Sequence, residues 1–447
     1  MSDSNTVIIE REPNKVLRLL NRMIDVRPAE LRALGWSWLY IFSVLSAYYI
    51  LRPIRDEMGV AGGVENLQWL FTGTLFGMIL VNPPFAALVI KLPRVRFISI
   101  AYRFFIANLL IFVVLLKIGS AEQDIWIGRV FFIWTSVFNL FVVSVFWALM
   151  VDVFNSEQSK RLFGFISAGA TLGAIVGSSI TASLASHVPA TYLMVGSAVL
   201  LEVAVFSVRQ LSRLSDVLHR RPTVGAEETP IGGSLLSGFT HAFKSPYLVN
   251  VSVYILLYAI TSTFLYFQQA DIARQAFADR GARTAFFARI DLWVNILTLA
   301  AQLFVTGRVL AVFGVAFTLA TLPALSVLGF SALAVTPTLV IIVIYQVLRR
   351  AGNFAFARPS REVLFTVVPR EDKYKAKSFI DTVVYRTGDQ VGAWSYAGLS
   401  FIGLGMIGIA ITAVPISIAW LVNGLWLGRK QETLASGEVK EATRPAG

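Results

Sequence analysis

Twelve stretches of this chain are apolar over a length that crosses a lipid bilayer, and no other feature restricts the fold so strongly. A hydrocarbon layer about 30 Å thick takes about 20 residues of α-helix. The helix is required because each backbone N–H and C=O must find its partner inside the segment. The stretches cover residues 33–52, 67–90, 97–117, 127–151, 162–185, 190–209, 247–270, 285–306, 312–334, 336–357, 378–402 and 405–428. Thr336-Pro337 divides the ninth from the tenth. A mean hydropathy of +0.67 with only 15% charged residues excludes an ordinary soluble domain. The expectation is an all-α polytopic membrane protein with twelve transmembrane helices.

The formal charge of +12 is unevenly placed. With both termini cytoplasmic, the inside segments collect Arg11, Lys15, Arg18, Arg22, Arg27 and Arg32 before the first span. They also collect Lys91, Arg94, Arg96, Lys160, Arg161, Arg209, Arg213, Arg308 and the basic run from Arg349 to Lys377, with Arg429 and Lys430 in the tail. The outside loops hold mainly Lys117, Arg274, Arg280 and Arg283. This is the positive-inside bias. The charge therefore reads as orientation and lipid contact, and no nucleic-acid partner is expected. The first thirty residues are polar without an apolar core, so the first span is read as the insertion signal.

A polar linker at 210–246, with His219-Arg-Arg-Pro222 and Gly225-Ala-Glu-Glu-Thr-Pro230, divides six spans from six. A shift of 215 places Asp56 on Asp271, Lys160 on Lys375, Gly173 on Gly388 and Gly177 on Gly392. A common offset at equivalent span ends points to duplication. Two parallel six-helix halves related by an axis along the membrane normal form the major-facilitator arrangement. The expected organisation is an N-terminal segment 1–32, a first half 33–209, the linker 210–246, a second half 247–428 and a cytoplasmic tail 429–447.

Enzymatic chemistry has no foothold. Cysteine is absent, which removes disulfides, thiolate nucleophiles and Cys-ligated metals. His187, His219 and His241 lack ligand spacing, and no Walker loop, dinucleotide fingerprint or nucleophile elbow occurs. No catalytic residue, metal or cofactor is expected.

Charge inside apolar spans is costly and marks function by default. Span one ends Arg52-Pro-Ile-Arg55-Asp56-Glu57, where two guanidiniums three residues apart could grip an anion or anchor to the adjacent acids. Asp152 and then Asn155-Ser-Glu157-Gln-Ser-Lys160-Arg161 form the turn into span five, which Ser156 is expected to cap. Asp152 with Lys160 or Arg161 would make a breakable gate, and Gly169, Gly173 and Gly177 would give a smooth contact face. Span eight carries Arg289, Asp291, Asn295 and Gln302, and span ten Arg349 and Arg350. Span eleven is the densest: Lys377 and Asp381 form an i,i+4 pair, and Arg386 can bridge to Asp381 or Asp389. Arg103 and Glu202 are lone charges in spans three and six.

Three of these pieces carry a family likeness: Ile50-Leu-Arg52-Pro-Ile-Arg55-Asp56, Phe146-Trp-Ala before Lys160-Arg161-Leu-Phe-Gly164, and Lys373-Tyr-Lys375-Ala-Lys377-Ser-Phe-Ile-Asp381-Thr-Val-Val384. With them the chain resembles the nucleotide transporter family, the ATP/ADP translocases of intracellular bacteria and plastids and their free-living bacterial relatives. The resemblance implies a major-facilitator-type exchanger in a bacterial inner membrane, with substrate contacts carried over onto Arg55, where the family typically has Lys, and Lys377. Arg386-Thr-Gly-Asp389 departs from the family pattern.

The expected function is a secondary transporter, working by alternating access, that exchanges nucleotides or a related phosphorylated anion. Arg52, Arg55, Arg349, Arg350, Lys377 and Arg386 are the expected substrate contacts. Asp56, Asp152, Lys160, Arg161, Lys375, Asp381 and Asp389 are the expected gate or coupling residues. Tyr48, Tyr49 and Trp147 are candidates to stack on a base. A proton-coupled carrier of another metabolite and a non-transporting membrane protein are the alternatives. The expected partners are a small anionic substrate and the bilayer, with the chain a monomer.

Overall fold

A computed structural model describes residues 25–91, 94–218, 245–368, 376–377 and 379–442. The first half contains α1 (Leu31–Ala61), α2 (Leu67–Lys91), α3 (Arg94–Ile118), α4 (Ala121–Val153), α5 (Ser156–Leu184) and α6 (Ala190–Leu218). The second contains α7 (Pro246–Ala276), α8 (Arg280–Phe304), α9 (Thr306–Val335), α10 (Leu339–Gly352), a π-helical turn (Asn353–Ala357), α11 (Arg358–Leu364), a second π-helical turn (Ile380–Val384), α12 (Tyr385–Phe401) and α13 (Met406–Ala442). The start of α1, the end of α6 and the start of α7 share the linker face; the Ala61 end of α1 lies at the far face.

Eleven of these segments are long and apolar enough to cross a membrane. The remaining expected crossing, span eleven, is built differently: a π turn followed by the 17-residue α12. α9 ends at Val335 and α10 begins at Leu339, capped by Thr338, so the division at Thr336-Pro337 is where the chain turns. Among the described residues every element is helical, giving an all-α polytopic membrane protein.

Several helices outrun their apolar cores. Pro53 does not end α1, which continues through Arg55-Asp56-Glu57 to Ala61. α6 runs to Leu218 and α13 to Ala442, so helix carries on into sequence expected to be linker and tail. The expected cap of α5 is also corrected. Asn155, not Ser156, is the N-cap, and it exchanges hydrogen bonds with Gln158 in a capping box. At the linker face, Gly314 adopts φ +75° and breaks α9, and Glu432 of α13 accepts hydrogen bonds from the N–H groups of Val315 and Ala316 where the helix restarts.

The same glycine device recurs in both halves. A Cβ on Gly173 or Gly177 would lie 2.4 Å from the backbone oxygens of Phe42 and Ser46, so α5 touches the backbone of α1 directly. In the second half Gly388 faces Leu256 and Ala259, and Gly392 faces Ile260 and Thr263, so α12 meets α7 in the equivalent register. Small residues at a membrane helix interface permit this approach. The offset read from the sequence thus has a structural counterpart.

The core is unevenly shared between the halves. One cluster lies almost wholly in the first half, around Tyr40, Phe138, Phe146 and Met194. Another lies in the second half towards the linker face, around Tyr254, Leu319, Leu427 and Trp420. The third joins the halves at the far face, where Val60, Val64, Leu67, Leu70 and Phe132 pack with Phe264, Phe267, Phe286, Phe287 and Phe330.

Candidate functional site

Arg52 and Arg55 leave α1 towards different partners. Nη1 of Arg52 lies 3.3 Å from Oδ1 of Asp291 on α8, and Nη2 of Arg350 on α10 lies 2.7 Å from the same oxygen. One buried carboxylate is therefore shared by two guanidiniums, one from each half. The other oxygen of Asp291 is buried without a hydrogen-bond partner among the described residues. The ring of Tyr49 backs this cluster, with the Arg52 guanidinium over it at 5.8 Å from the centroid.

Arg55 turns towards α4. Its Nε and Nη2 donate to Oδ1 of Asp56 at 3.0 and 2.6 Å, Nη1 donates to Ser136 at 3.3 Å, and the guanidinium lies 4.7 Å over the ring of Phe132. Tyr266 of α7 donates its hydroxyl to the same Asp56 oxygen at 2.9 Å, which ties this group to the second half. Across the gap, Arg386 donates to Asp389 one turn along α12 at 3.1 Å. Arg55, Arg386, Asp389, Ser136, Asn139, Gln390, Phe71 and Phe132 line a cavity of about 130 Å³ between the halves.

Sequence reasoning treated Arg349 and Arg350 alike, and the structure separates them. Arg349 is 1% exposed and points into the second-half core. There it donates to Ser326, the Tyr258 carbonyl and Thr261, and sits against the rings of Tyr258 and Trp420. Among the described residues it lies outside the cavity. Lys377 is also elsewhere: it reaches Glu362 of α11 at the linker face, not Asp381 as the i,i+4 spacing implies. The π turn at Ile380–Val384 lies between Lys377 and α12, so ideal-helix spacing does not apply there. Tyr48 and Tyr49 pack edge-on against each other, and Trp147 packs on Phe146 and Phe163.

The expected pairing of Arg161 with Asp152 is replaced. Arg161 holds Glu30, the N-cap of α1, at 3.0 Å, and Gln158 donates to the same carboxylate at 3.0 Å. Burial raises the Glu30 pKa, but hydrogen bonds from Arg161, the Arg27 N–H and Gln158 outweigh it and hold the carboxyl below its ordinary range. Asp152 lies at the end of α4, and Asp381 lies within the π turn. The side chain of Lys160 and the whole of Lys375 lie outside the described residues.

Glu57, read from the sequence as an anchor partner of Arg52 and Arg55, instead ties α1 to the second half. The carboxylate is 3% exposed and takes Nε of Arg280 at 3.1 Å and Nη2 of Arg283 at 3.0 Å, both on α8. Beside it Arg274 meets Glu65, and the Thr72 hydroxyl and Trp394 indole join α2 to α12, with Trp69 edge-on to Trp394. The available signal was three arginines, Arg274, Arg280 and Arg283, on a face otherwise poor in basic residues.

No family model matches the chain. An ADP,ATP carrier protein 1 of Chlamydia trachomatis serovar D is 20% identical over 71% of this chain and 67% of its own length. An ADP,ATP carrier protein 2 of Chlamydia pneumoniae is 20% identical over 91% of this chain and 90% of its own. Among solved structures, a bacterial homologue of the iron transporter ferroportin in an inward-facing state has a TM-score of 0.60 at 12% identity, covering 90% of this chain and 98% of its own. The nucleoside transporter NupG has a TM-score of 0.55 at 14% identity over 91% and 99%. At these identities the likeness is one of fold, and the chain shares the all-helical membrane fold of these structures. The relatives agree with the resemblance read from the sequence: the chain is a distant homologue of the ADP,ATP carrier proteins and a multi-pass membrane transporter.

Proposed function

We propose that the chain exchanges nucleotides, or closely related phosphorylated anions, by alternating access around the cavity between its halves. One observation carries this reading. At the boundary between the halves, four guanidiniums (Arg52, Arg55, Arg350 and Arg386) face three carboxylates (Asp56, Asp291 and Asp389). The surplus is positive, and guanidinium forks match phosphate oxygens. The carrier names of the distant relatives agree with a nucleotide.

The positive-inside bias puts the linker face in the cytoplasm. The far face, where Glu57 meets Arg280 and Arg283, is then the closed outer gate, and substrate enters from within. A cavity of about 130 Å³ is below the ~300–1,000 Å³ of typical ligand pockets. The phosphate end would seat against Arg55 and Arg386, with the remainder extending towards the linker face. Phosphate oxygens would take over guanidinium contacts now made by Asp56 and Asp389.

The test is uptake of labelled ATP, ADP and phosphate into proteoliposomes, with and without internal nucleotide. Uptake that requires internal nucleotide supports exchange, and wild-type uptake by both Arg55→Ala and Arg386→Ala would sink the site. The proton-coupled reading rests on the buried, singly bonded Asp389 and the free oxygen of Asp291. It predicts uptake driven by a pH gradient alone.

A further inference from the structure

Away from the boundary between the halves, α3 and α6 form a groove of about 290 Å³ on the outer flank of the first half, lined by Arg96, Ser99, Ile100, Arg103 and Arg209. The spacing explains the arrangement. Arg96, Ser99, Ile100 and Arg103 recur at three and four residues along α3, as do Val199, Glu202, Phe206, Arg209 and Arg213 along α6, so each set forms one stripe. Arg103 and Glu202 bridge the helices, with Nε to Oε1 at 3.0 Å and both side chains about half exposed. Among the described residues Arg96 and Arg209 have no acidic partner, so the groove carries three guanidiniums against one carboxylate.

Its position selects the ligand. Arg96 is two residues into α3, at the linker face, while Arg103 lies about 14 Å further along the helix from Arg94. Around and beyond them the surface is apolar and exposed: Ile100, Phe104 and Ile111 on α3, Val199 and Phe206 on α6. A surplus of guanidinium at headgroup depth, continued by an apolar stripe, matches an amphiphile with an anionic head. Basic pockets between membrane helices on the cytoplasmic side hold such headgroups. A soluble anion would use the arginines and leave the stripe unused.

We infer that this groove binds one anionic phospholipid of the leaflet at the linker face. The phosphate lies between Arg96 and Arg209, Ser99 is available at the groove floor, and the acyl chains run along Ile100, Phe104 and Phe206. Arg103 is held by Glu202 within reach of the same phosphate. This site is separate from the proposed exchange cavity and does not depend on it.

The test uses full-length protein in detergent and native mass spectrometry, with phosphatidylglycerol and phosphatidylcholine as probes. The expected result is one phosphatidylglycerol retained preferentially over phosphatidylcholine. Its apparent Kd should rise at least tenfold in the Arg96→Gln/Arg209→Gln variant and recover in part in Arg96→Lys/Arg209→Lys. Lys117→Gln, at the other end of the same helix pair beside Tyr192, should leave retention unchanged. Equal retention in the double Gln variant would overturn the assignment. So would displacement by millimolar inorganic phosphate, which would make the site one for free anions. Doubling of the mass with loss of lipid would also overturn it, making the groove a face between copies of the chain.

Discussion

Glu30 and Glu57 sit at opposite ends of α1, both almost completely buried and both held by arginine, yet they do different jobs. Glu30 is held by Arg161 and Gln158 of α5, within its own half. Glu57 is held by Arg280 and Arg283 of α8, in the other half. A contact inside a half moves with that half and need never break. In the proposed cycle, a contact between halves must break each time the far face opens, so its strength sets how strongly the closed state is favoured. Removing one partner of a buried pair costs about 3–5 kcal/mol. Because Arg280 is half exposed, the lower end of that range applies here.

The largest effect should follow from Glu57→Ala. A loss of about 3 kcal/mol shifts the equilibrium between closed and open far faces by roughly 100-fold. The natural absence of cysteine provides the readout: Thr284→Cys, buried in α8 beside the Glu57 contacts, should react with maleimide far faster in Glu57→Ala than alone. Equal rates would break the distinction between the two ends of α1.

A double-mutant cycle sharpens it. Glu57→Gln and Arg283→Gln should each accelerate labelling, and the pair together should give less than their product, with a coupling of about 1–3 kcal/mol. Simple additivity would show that the 3.0 Å contact carries no coupling.

Glu30→Gln should be milder, with transport within about twofold of wild type and a melting-temperature loss equivalent to about 1 kcal/mol. Its pH dependence distinguishes it further. A carboxyl whose folded pKa lies below its unfolded value contributes stability that is fully present above the unfolded pKa, about 4.3 for Glu, and is lost as pH falls through the folded pKa. Wild type and Glu30→Gln should therefore differ in melting above about pH 5 and converge in acid. Parallel curves would remove Glu30 as the cause. The smallest effect belongs to Arg274→Gln. Its pair with Glu65 is more than half exposed, so labelling of Thr284→Cys should change by less than about twofold.

Much of the architecture was legible because membrane burial leaves an unmistakable trace: apolar length marked the crossings, and glycines at spacing four marked the α1–α5 and α7–α12 contacts. The charges were legible as a set but not individually. Arg349 and Arg350 are adjacent, so about 100° of helix separates them, and that rotation sends one into the core and the other to the boundary between the halves. Choosing between them requires knowing which face of α10 meets α8. Asp291 was visible as an intramembrane acid, but its sharing by Arg52 and Arg350 depends on three helices converging from two halves. The π turn at Ile380–Val384 leaves no periodic signature, so Lys377 and Asp381 were paired by a spacing that only an ideal helix obeys.

The backbone contact at Gly173 and Gly177 has a mechanical consequence. With no side chain between them at these points, α1 and α5 form a stiff arm. Glu57 lies 15 residues beyond Phe42, or about 22 Å along α1. Tilting that arm by about 10° around Phe42 swings Glu57 through about 4 Å, enough to part it from Arg280 and Arg283. The same swing displaces Arg52, 10 residues or about 15 Å from Phe42, by only about 2.6 Å, because leverage shrinks in proportion to distance from the pivot. A small tilt driven at the cavity is thereby magnified at the far face, and a bulkier residue at Gly173 would put slack into the lever.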